Sequence, residues 1–214
     1  MHCPVCEGLQ CHGFQTVGDR VYLRCDRCLA TFLHPEQRPG PAAELAEYQL
    51  HQNTAEDPDY RQFLRKLSDP LLARLPPASA GLDFGCGPGP ALATLLREHG
   101  HTVALYDPFF QPDPSVLEAT YGFVTCTEVI EHFHQPAQEF RRLDALLAPG
   151  GWLGLMTNFQ TDDSRFASWH YRRDPTHVVF YREATLRWLA QQHGWTCEMP
   201  CPNVALMQKP LAPA

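Results

Sequence analysis

The chain has 214 residues, of which 44% are hydrophobic, and a formal net charge of -7. This length suffices for one α/β domain with a small addition. The acidic balance argues against a general nucleic-acid binder, because a protein that neutralises phosphates needs a basic surface. Since no apolar run reaches about 18 residues and the first residues are polar, we expect a soluble, cytoplasmic protein without a membrane segment.

Two C-x-x-C pairs near the start of the chain predict a metal site. Cys3 pairs with Cys6 and Cys25 with Cys28 in this pattern. Four thiolates at such a spacing can close a tetrahedron around zinc. We therefore predict a zinc ribbon over residues 1–38, stabilised by structural zinc; the alternative is two surface turns with reduced thiols. The odd total of nine cysteines also favours metal ligands and buried thiols over a disulfide framework.

Residues 39–78 predict a linker followed by two helices. The first helix begins at Pro41, a residue suited to a first helical turn, and should reach about Leu50. The second has Asp57 as its N-cap and an apolar stripe at helical spacing. Pro70 should kink or end it, because proline removes a helical hydrogen bond.

A short apolar strand, a glycine turn and a helix follow one another over residues 80–99. Glycines occupy alternate positions in the turn, where the backbone can adopt an unusual φ and approach a ligand without a Cβ. Asp83 lies inside the strand, where a carboxylate is costly unless it meets a cationic or hydrogen-bonding group. The chain contains no P-loop pattern. The predicted ligand contacts of this unit are Asp83, Gly85, Cys86, Gly87 and Gly89.

The next apolar run, residues 102–106, ends in an acidic residue. Asp107 lies 18 positions after Gly89, and an acid about 20 residues beyond such a turn can bind ribose hydroxyls. Pro90 stands where a dinucleotide fingerprint has its third small residue. In this combination the chain resembles the class I S-adenosylmethionine-dependent methyltransferases.

That resemblance extends from about residue 80 to residue 208. It implies S-adenosylmethionine as cofactor, S-adenosylhomocysteine as product, and a Rossmann-like, mostly parallel sheet with a terminal antiparallel hairpin over residues 79–214. In the family, the acid before the glycines faces the methionine end and the acid after the second strand holds the ribose. The resemblance adds Pro108, Thr127 and Glu128 to the expected cofactor contacts. The two N-terminal helices would cover the cofactor or simply pack against the sheet.

The stretch after Asp107 departs from the family pattern. Only residues 108–120 separate it from the next strand, and three of them are proline. A crossover helix and another strand need a dozen or more residues for each step. We therefore predict that the sheet is shortened after its second strand, and we assign no residue to the adenine.

An E-x-x-E-H pattern follows the fourth predicted strand, at the sheet edge where α/β proteins bind ligands. If a helical turn starts at Glu128, then Glu131 and His132 lie on the same face. These side chains could bind a divalent metal, as in the similar motif of ubiquinone-type O-methyltransferases. Alternatively, His132 acts on the substrate, or the motif only packs or caps a turn.

Residues 158–180, which we call the lid segment, show no clean periodicity but are rich in aromatic and titratable groups. We predict that this segment covers the substrate. The sequence of residues 174–181 resembles a signature of a group of bacterial methyltransferases. His177 would remove a proton from the acceptor or serve a structural role. Arg172 and Arg173 would meet an anionic substrate group or form a solvated pair.

The last elements predict the end of a methyltransferase sheet. Residues 182–193 form a helix that Gly194 ends, and residues 195–199 and 203–208 form two strands. The resulting expectation is an enzyme that transfers a methyl group, with His132 or His177 as catalytic residue, most often to a small molecule; sugar, tRNA and protein acceptors stay open. Two alternatives remain: a zinc-ribbon module that binds RNA or protein on a catalytically reduced fold, and a nicotinamide-dependent oxidoreductase.

Overall fold

The computed structural model describes residues 1–50 and 54–212. Within these ranges the strands are β1 (Cys11–Val17), β2 (Arg20–Cys25), β3 (Thr31–Leu33), β4 (Ala80–Phe84), β5 (Thr102–Tyr106), β6 (Tyr121–Thr127), β7 (Leu147–Met156), β8 (Val179–Phe180), β9 (Thr196–Cys201) and β10 (Val204–Gln208). The helices are α1 (Pro41–Tyr48), α2 (Pro58–Leu72), α3 (Ala91–Glu98), α4 (Pro136–Leu146) and α5 (Glu183–His193). The strands form one four-stranded and one six-stranded sheet.

The six-stranded sheet has the strand order β5-β4-β6-β7-β10-β9. The pairs within β5-β4-β6-β7 are parallel, and β10 is antiparallel to both β7 and β9. This confirms the predicted Rossmann-like sheet with its terminal hairpin. The chain leaves β4 for β5 on one side and returns to β6 on the other, so the carboxyl end of β4 is a switch point where a ligand crevice forms.

Apolar helix faces cover both sides of this sheet. Helices α2 and α3 share one core cluster with the sheet, which includes Leu67, Leu96 and Phe123. Helices α4 and α5 contribute Phe140 and Leu189 to a second cluster. The last four residues of β4 are buried as a result. Among the described helices, none is long and apolar enough to cross a membrane.

The sheet is shortened after its second strand, as predicted. Between β5 and β6 the chain forms only a 3-10 turn, Pro114–Glu118, and β5 is the edge strand of the sheet. Pro108, Pro112 and Pro114 lie in this stretch. Their missing backbone donors oppose a regular helix or an inner strand there.

Helix α2 does not end at Pro70, which was one of the two outcomes predicted for this residue; the other, a kink, stays a prediction. The helix has the predicted N-cap, with the Asp57 side chain accepting from two backbone N–H groups, and continues past Pro70 to Leu72. Proline lacks the N–H that would donate to the carbonyl four residues earlier. That carbonyl belongs to Lys66, and it accepts a hydrogen bond from the Cys201 thiol at 3.5 Å instead. A contact from β9 therefore supports the helix at the position where the proline leaves an acceptor.

The small sheet has the order β1-β2-β3-β8 and is antiparallel throughout. Strand β2 lies between the two C-x-x-C pairs and includes the first cysteine of the second pair, Cys25. The fourth strand, β8, comes from the lid segment, which otherwise contains the 3-10 turns Asp163–Ser168 and His170–Arg173. Strand pairing thus joins residues 1–38, which we call the ribbon segment, to the lid segment, across the predicted boundary at residue 38.

Candidate functional site

A cavity of about 990 Å³ lies at the carboxyl ends of β4, β5 and β6. The candidate catalytic residues His132 and His177 line it, as do Tyr48 and Tyr60 from the N-terminal helices. The cavity wall also contains all the predicted cofactor contacts: Asp83, Gly85, Cys86, Gly87, Gly89, Asp107, Pro108, Thr127 and Glu128. The structure therefore brings together the residues that the sequence analysis selected on separate strands.

The glycine turn depends on left-handed backbone at two positions. Gly85 has a φ of 78° and Gly87 a φ of 63°. A Cβ on Gly85 would lie 2.5 Å from Val129 Cγ2, whereas one on Gly87 would meet no heavy atom within 4 Å. The N–H groups of Gly85 and Cys86 both donate to Tyr106 O, at 2.8 and 3.1 Å. Packing thus excludes a side chain at Gly85, and the backbone of Gly87 borders open space.

Asp83 is a buried carboxylic acid at the end of β4. It is 4% exposed, and its Oδ1 accepts a hydrogen bond from Thr125 Oγ1 at 2.8 Å. Burial raises the pKa of Asp83 to about 6, and the hydrogen bond from Thr125 offsets only part of this effect. A cationic group in the cavity would stabilise the ionised form. The position is therefore suited to a ligand ammonium group.

Asp107 organises the opposite edge of the turn. Its Oδ2 accepts from Gly87 N at 3.0 Å, and its Oδ1 accepts from Phe109 N at 2.9 Å and Phe110 N at 3.1 Å. Each carboxylate oxygen has two lone pairs, so Oδ2 retains one acceptor position beyond the bond from Gly87. One side chain thus ties the glycine turn to the chain after β5 and can still accept a bond from a ligand hydroxyl.

No helical turn starts at Glu128, so the condition for placing Glu128, Glu131 and His132 on one helical face is not met. Glu128 has a φ of 53°, and its N–H donates to Met156 O at 2.8 Å on the neighbouring strand. The 3-10 turn begins at Ile130. Left-handed backbone at a residue other than glycine costs about 1 kcal/mol or more and is concentrated at functional sites. As a result Glu128 borders the cavity, whereas Glu131 lies buried behind it at 1% exposure.

Both glutamates have raised pKa values. Burial raises the pKa of Glu128 to about 7. Burial raises the pKa of Glu131 to about 7 as well, and the negative charge of Glu128 acts in the same direction. The Tyr171 hydroxyl donates to Glu131 Oε1 and lies 2.9 Å from Thr157 Oγ1. The lid segment therefore contributes Tyr171, whose hydroxyl group is hydrogen-bonded to the buried carboxyl group of Glu131. We call Glu128 and Glu131 the acid pair.

The two candidate catalytic histidines are neighbours, although 45 positions separate them in the sequence. Their ring centroids lie 4.8 Å apart. His132 Nδ1 lies 3.2 Å from Thr176 O, and His177 Nδ1 lies 2.6 Å from Tyr171 O. Because a carbonyl oxygen only accepts, each Nδ1 bears the hydrogen, and Nε2 is the basic nitrogen of each neutral ring.

The side chains that could bind a metal here differ from the predicted set. Ligand atoms of Glu131, His132 and His177 lie within 4.8 Å of one another. His177 therefore takes the place that the sequence pattern gave to Glu128. The sequence could not reveal this because the left-handed backbone turns Glu128 away from the other two residues of the motif.

Arg172 and Arg173 are not on the cavity wall. Arg172 donates to Tyr22 OH and Ala167 O, and Arg173 donates to Ser168 O. These bonds hold the lid segment itself, so the structure does not support a contact with an anionic substrate.

Some charged groups of the cavity were missed by the sequence analysis. Arg142 lines the cavity and donates to Glu139 Oε2 at 2.8 Å. Glu44 and His134 also line it, with Oε1 and Nε2 2.9 Å apart. Helical periodicity marks the buried face of α1 and α4 but does not indicate which polar residue faces a cavity, so no sequence signal distinguished these side chains.

The four predicted zinc ligands come together at the edge of the small sheet. Cys3 Sγ lies 3.6 Å from Cys28 Sγ, and Cys6 Sγ lies 3.4 Å from Cys25 Sγ. All four sulfurs lie within 4.8 Å of one another. Zinc-bound thiolates at about 2.3 Å from the metal stand roughly 3.8 Å apart in a tetrahedron. This set, which we call the cysteine quartet, fits a structural zinc ion.

Comparisons with known proteins agree with this architecture. A family model described as a methyltransferase domain matches residues 55–199, more than half of the chain. No curated protein matches the chain.

Three solved structures illustrate the similarity of fold. An O-methyltransferase family protein from Burkholderia thailandensis is 18% identical, with a TM-score of 0.53 over 72% of this chain and 59% of its own length. The 1,6-didemethyltoxoflavin-N1-methyltransferase of the same organism, solved with bound 1,6-didemethyltoxoflavin and S-adenosylhomocysteine, is 19% identical with a TM-score of 0.53, over 94% of this chain and 99% of that one. A SAM-dependent methyltransferase from Archaeoglobus fulgidus is 15% identical with a TM-score of 0.53, over 70% and 94%.

These comparisons differ in what they establish. At such identities the solved structures indicate the fold, and this chain spans 59% of the length of the first of them. The family model covers the glycine turn, both acids and the E-x-x-E-H motif. With that match and the Rossmann-like sheet, the chain belongs to the methyltransferase domain family.

Proposed function

We propose that the protein is an S-adenosylmethionine-dependent methyltransferase. The observation that supports this most strongly is the pair of acids on either side of the glycine turn. Asp83 is a buried carboxylate whose ionised form needs a cation, which the amino group of the cofactor's methionine end would provide. Asp107 retains an acceptor position for a ribose hydroxyl. Gly85, Gly87 and Gly89 allow the cofactor to approach the backbone.

When bound, S-adenosylmethionine would supply a methyl group on a positively charged sulfur that is already activated for transfer. The protein's remaining task is to position the acceptor and remove its proton where the attacking atom bears one. His177 is suited to this because its Nδ1 donates to Tyr171 O and leaves Nε2 as the proton acceptor. His132, whose ring lies beside it, is the alternative. We call this part of the cavity, formed by Tyr48, Glu128, His132, Asp174 and His177, the acceptor side. Glu128, also an expected cofactor contact, would border both cofactor and acceptor.

A small molecule is the acceptor we favour. The cavity volume of about 990 Å³ is at the upper end of ordinary small-molecule sites, which supports a cofactor together with a compact acceptor. One structure that aligns over nearly its whole length was solved with bound 1,6-didemethyltoxoflavin and S-adenosylhomocysteine. Acceptors as large as tRNA or a protein would have to bring the reacting atom to His177 on the wall of this cavity.

We also propose that the cysteine quartet binds structural zinc. Cys3, Cys25 and Cys28 are buried and Cys6 is half-buried, and all four are free thiols rather than disulfides. A closed set of four sulfurs leaves no open metal position, so this metal would stabilise the small sheet without taking part in catalysis.

Titration calorimetry with S-adenosylhomocysteine tests the cofactor assignment. We expect the wild-type protein to bind it and to show no heat with NADH. Asp107→Ala should lower the affinity by roughly tenfold to a hundredfold, because it removes a charged acceptor worth about 1.5–3 kcal/mol. Asp113 is exposed and lies in the shortened stretch nearby. Asp113→Ala is therefore the matched control and should bind S-adenosylhomocysteine as the wild type does. Binding of NADH in place of S-adenosylhomocysteine, or unchanged affinity in Asp107→Ala, would contradict the proposal.

A further inference from the structure

We propose that the cysteine quartet positions His177: the metal-bound ribbon holds the lid segment, and the lid segment holds the histidine. This inference rests on the proposed function, because it takes His177 as a residue that faces the acceptor. The four cysteines touch neither cofactor nor acceptor and act on His177 only through the backbone. They are therefore positioning residues.

Val178, the residue after His177, is held from two directions. Its carbonyl oxygen accepts from Leu33 N at 2.9 Å, and its own N–H donates to Glu131 O at 2.9 Å. The pairing continues along the two strands, with β3 and β8 antiparallel. Movement of the backbone next to His177 would therefore break one of these two hydrogen bonds, unless β3 and the 3-10 turn at Glu131 moved with it.

Strand β3 depends in turn on the cysteine quartet. It is three residues long and begins shortly after Cys28. Between Cys25 and β3 the chain forms a tight turn, in which Cys25 N donates to Ala30 O and Leu29 N donates to Cys25 O, both at 3.0 Å. So short a strand has little stability of its own. Closing four thiolates around a metal fixes this turn and thus the position of β3.

A second connection joins the ribbon segment to the lid segment through side chains. Arg24 Nη1 and Nη2 donate to the two carboxylate oxygens of Asp163, at 2.7 Å each, and Nε and Nη2 donate to Thr31 Oγ1. The Arg24 side chain is 11% exposed and that of Asp163 is 48% exposed, so water is excluded from the arginine side of these charge-assisted bonds but reaches the carboxylate. Phe166, three residues beyond Asp163, packs edge-on against Tyr22 with ring centroids 4.9 Å apart. Both contacts fix the first half of the lid segment.

The glycine turn is held by different contacts. Its N–H groups donate to Tyr106 O and to Asp107 Oδ2, and Gly85 packs against Val129. Among the described residues, no hydrogen bond of residues 85–89 reaches residues 1–38. Loss of the metal should therefore loosen His177 while the cofactor site stays intact.

Hydrogen exchange on the full chain tests this separation. We compare zinc-loaded protein with chelator-stripped protein and with Cys28→Ser; Cys11→Ser, in β1 but outside the quartet, is the matched control. Stripping and Cys28→Ser should accelerate exchange of the Val178 amide by about tenfold or more. Affinity for S-adenosylhomocysteine should change by less than about twofold. Unchanged exchange at Val178, or loss of S-adenosylhomocysteine binding together with the metal, would overturn the proposal.

The ring nitrogens of His177 provide a second readout that general loosening of the fold would not mimic. In the loaded protein Nδ1 lies 2.6 Å from Tyr171 O, so ¹⁵N NMR should show one tautomer with the hydrogen on Nδ1. In stripped protein that still binds S-adenosylhomocysteine, the two nitrogens should give averaged signals. If the wild type fails to bind S-adenosylhomocysteine, the proposed function fails, but exchange at Val178 still decides whether metal and lid segment are coupled.

Arg24→Gln tests the coupling with the metal in place. This variant should retain about one zinc per chain and yet show faster exchange at Val178 than Arg24→Lys, which keeps a cation for Asp163. Arg20→Gln, at the start of the same strand, is the matched control because Arg20 takes no part in the bonds described above. Wild-type exchange at Val178 in Arg24→Gln would overturn the proposal.

Discussion

The two sides of the cavity are built in different ways. The cofactor side consists of residues 83–89, at the end of β4, and Asp107, directly after β5; their hydrogen bonds go to one another and to neighbouring residues of β5, β6 and the chain after β5. The acceptor side combines residues from α1, from the turn after β6 and from the lid segment. It also depends on β3, which pairs with the lid segment from outside the large sheet. One side is thus a local motif, whereas the other exists only once distant segments have packed.

This difference has consequences for stability as well as for assembly. The cofactor side has one buried acid, Asp83, with a hydrogen-bond donor beside it. The acceptor side has Glu128 on its wall and Glu131 buried behind it; burial raises both pKa values to about 7, and the charge of Glu128 raises that of Glu131 further, so both are predominantly protonated at mildly acidic pH. Changes on the cofactor side should therefore appear first in ligand affinity, and changes on the acceptor side in the pH dependence of stability.

The largest effect is expected from Gly85→Ala. An alanine at this position would have to adopt the left-handed backbone conformation of Gly85, and its Cβ would lie 2.5 Å from Val129 Cγ2. We expect a loss of about 2–4 kcal/mol in the free energy of unfolding and no measurable S-adenosylhomocysteine binding. Gly100→Ala is the control: φ is 86° but no heavy atom lies within 4 Å, so only about 1–2 kcal/mol should be lost. Denaturant unfolding and calorimetry measure both effects, and equal losses in the two variants would argue against the close packing at Gly85.

A smaller effect on stability but a clear effect on affinity is expected from Asp83→Asn. The charge that would face the ligand ammonium disappears, so S-adenosylhomocysteine affinity should fall by roughly tenfold to a hundredfold. The unliganded variant should be more stable than the wild type at pH 8, because a buried carboxylate with a pKa of about 6 is costly when ionised. The exposed Asp69→Asn on α2 should change neither quantity. Wild-type affinity in Asp83→Asn would exclude an ionic contact at this position.

Much of the fold could be predicted because its signals are local. The strand before Gly85, the N-cap at Asp57 and the helix end at Gly194 each depend on a few consecutive residues, and the structure has all three. The shortened stretch after Asp107 was predictable from chain length alone. The continuation of α2 past Pro70 could not be predicted from sequence. The Lys66 carbonyl, which lacks its helical donor at Pro70, accepts instead from Cys201, more than a hundred residues later.

The site divides in the same way. Asp83 and Asp107 could be selected from sequence because their spacing from the glycines is itself the signal. That His132 and His177 lie next to each other could not be derived from sequence. No pattern around either histidine indicates that β8 joins the sheet formed by the ribbon segment. Glu128 does not join Glu131 and His132, as the helical spacing of the E-x-x-E-H motif would place it, because its backbone is left-handed.

The smallest effect, and the one specific to the acceptor side, concerns pH. In the folded protein the pKa of Glu131 is raised to about 7, whereas an unfolded glutamate titrates near 4.3. The folded state thus binds more protons between these values, and the stability contributed by this group is complete below about pH 4 and is lost as the pH rises through 7. Glu131→Gln removes the titration and keeps an acceptor for the Tyr171 hydroxyl. The fall in unfolding free energy of the unliganded protein between pH 5 and pH 8 should shrink by on the order of 2 kcal/mol.

Glu98→Gln is the matched control for that measurement. The Glu98 side chain is exposed, and its hydrogen bond from Arg61 lowers its pKa, so it is ionised in both the folded and the unfolded state above pH 5. Its replacement should leave the slope between pH 5 and pH 8 unchanged. Urea unfolding at several pH values gives the slope directly. A wild-type slope in Glu131→Gln would mean that the acid pair behind the acceptor side does not titrate in this range, and the electrostatic contrast with the cofactor side would then rest on Asp83 alone.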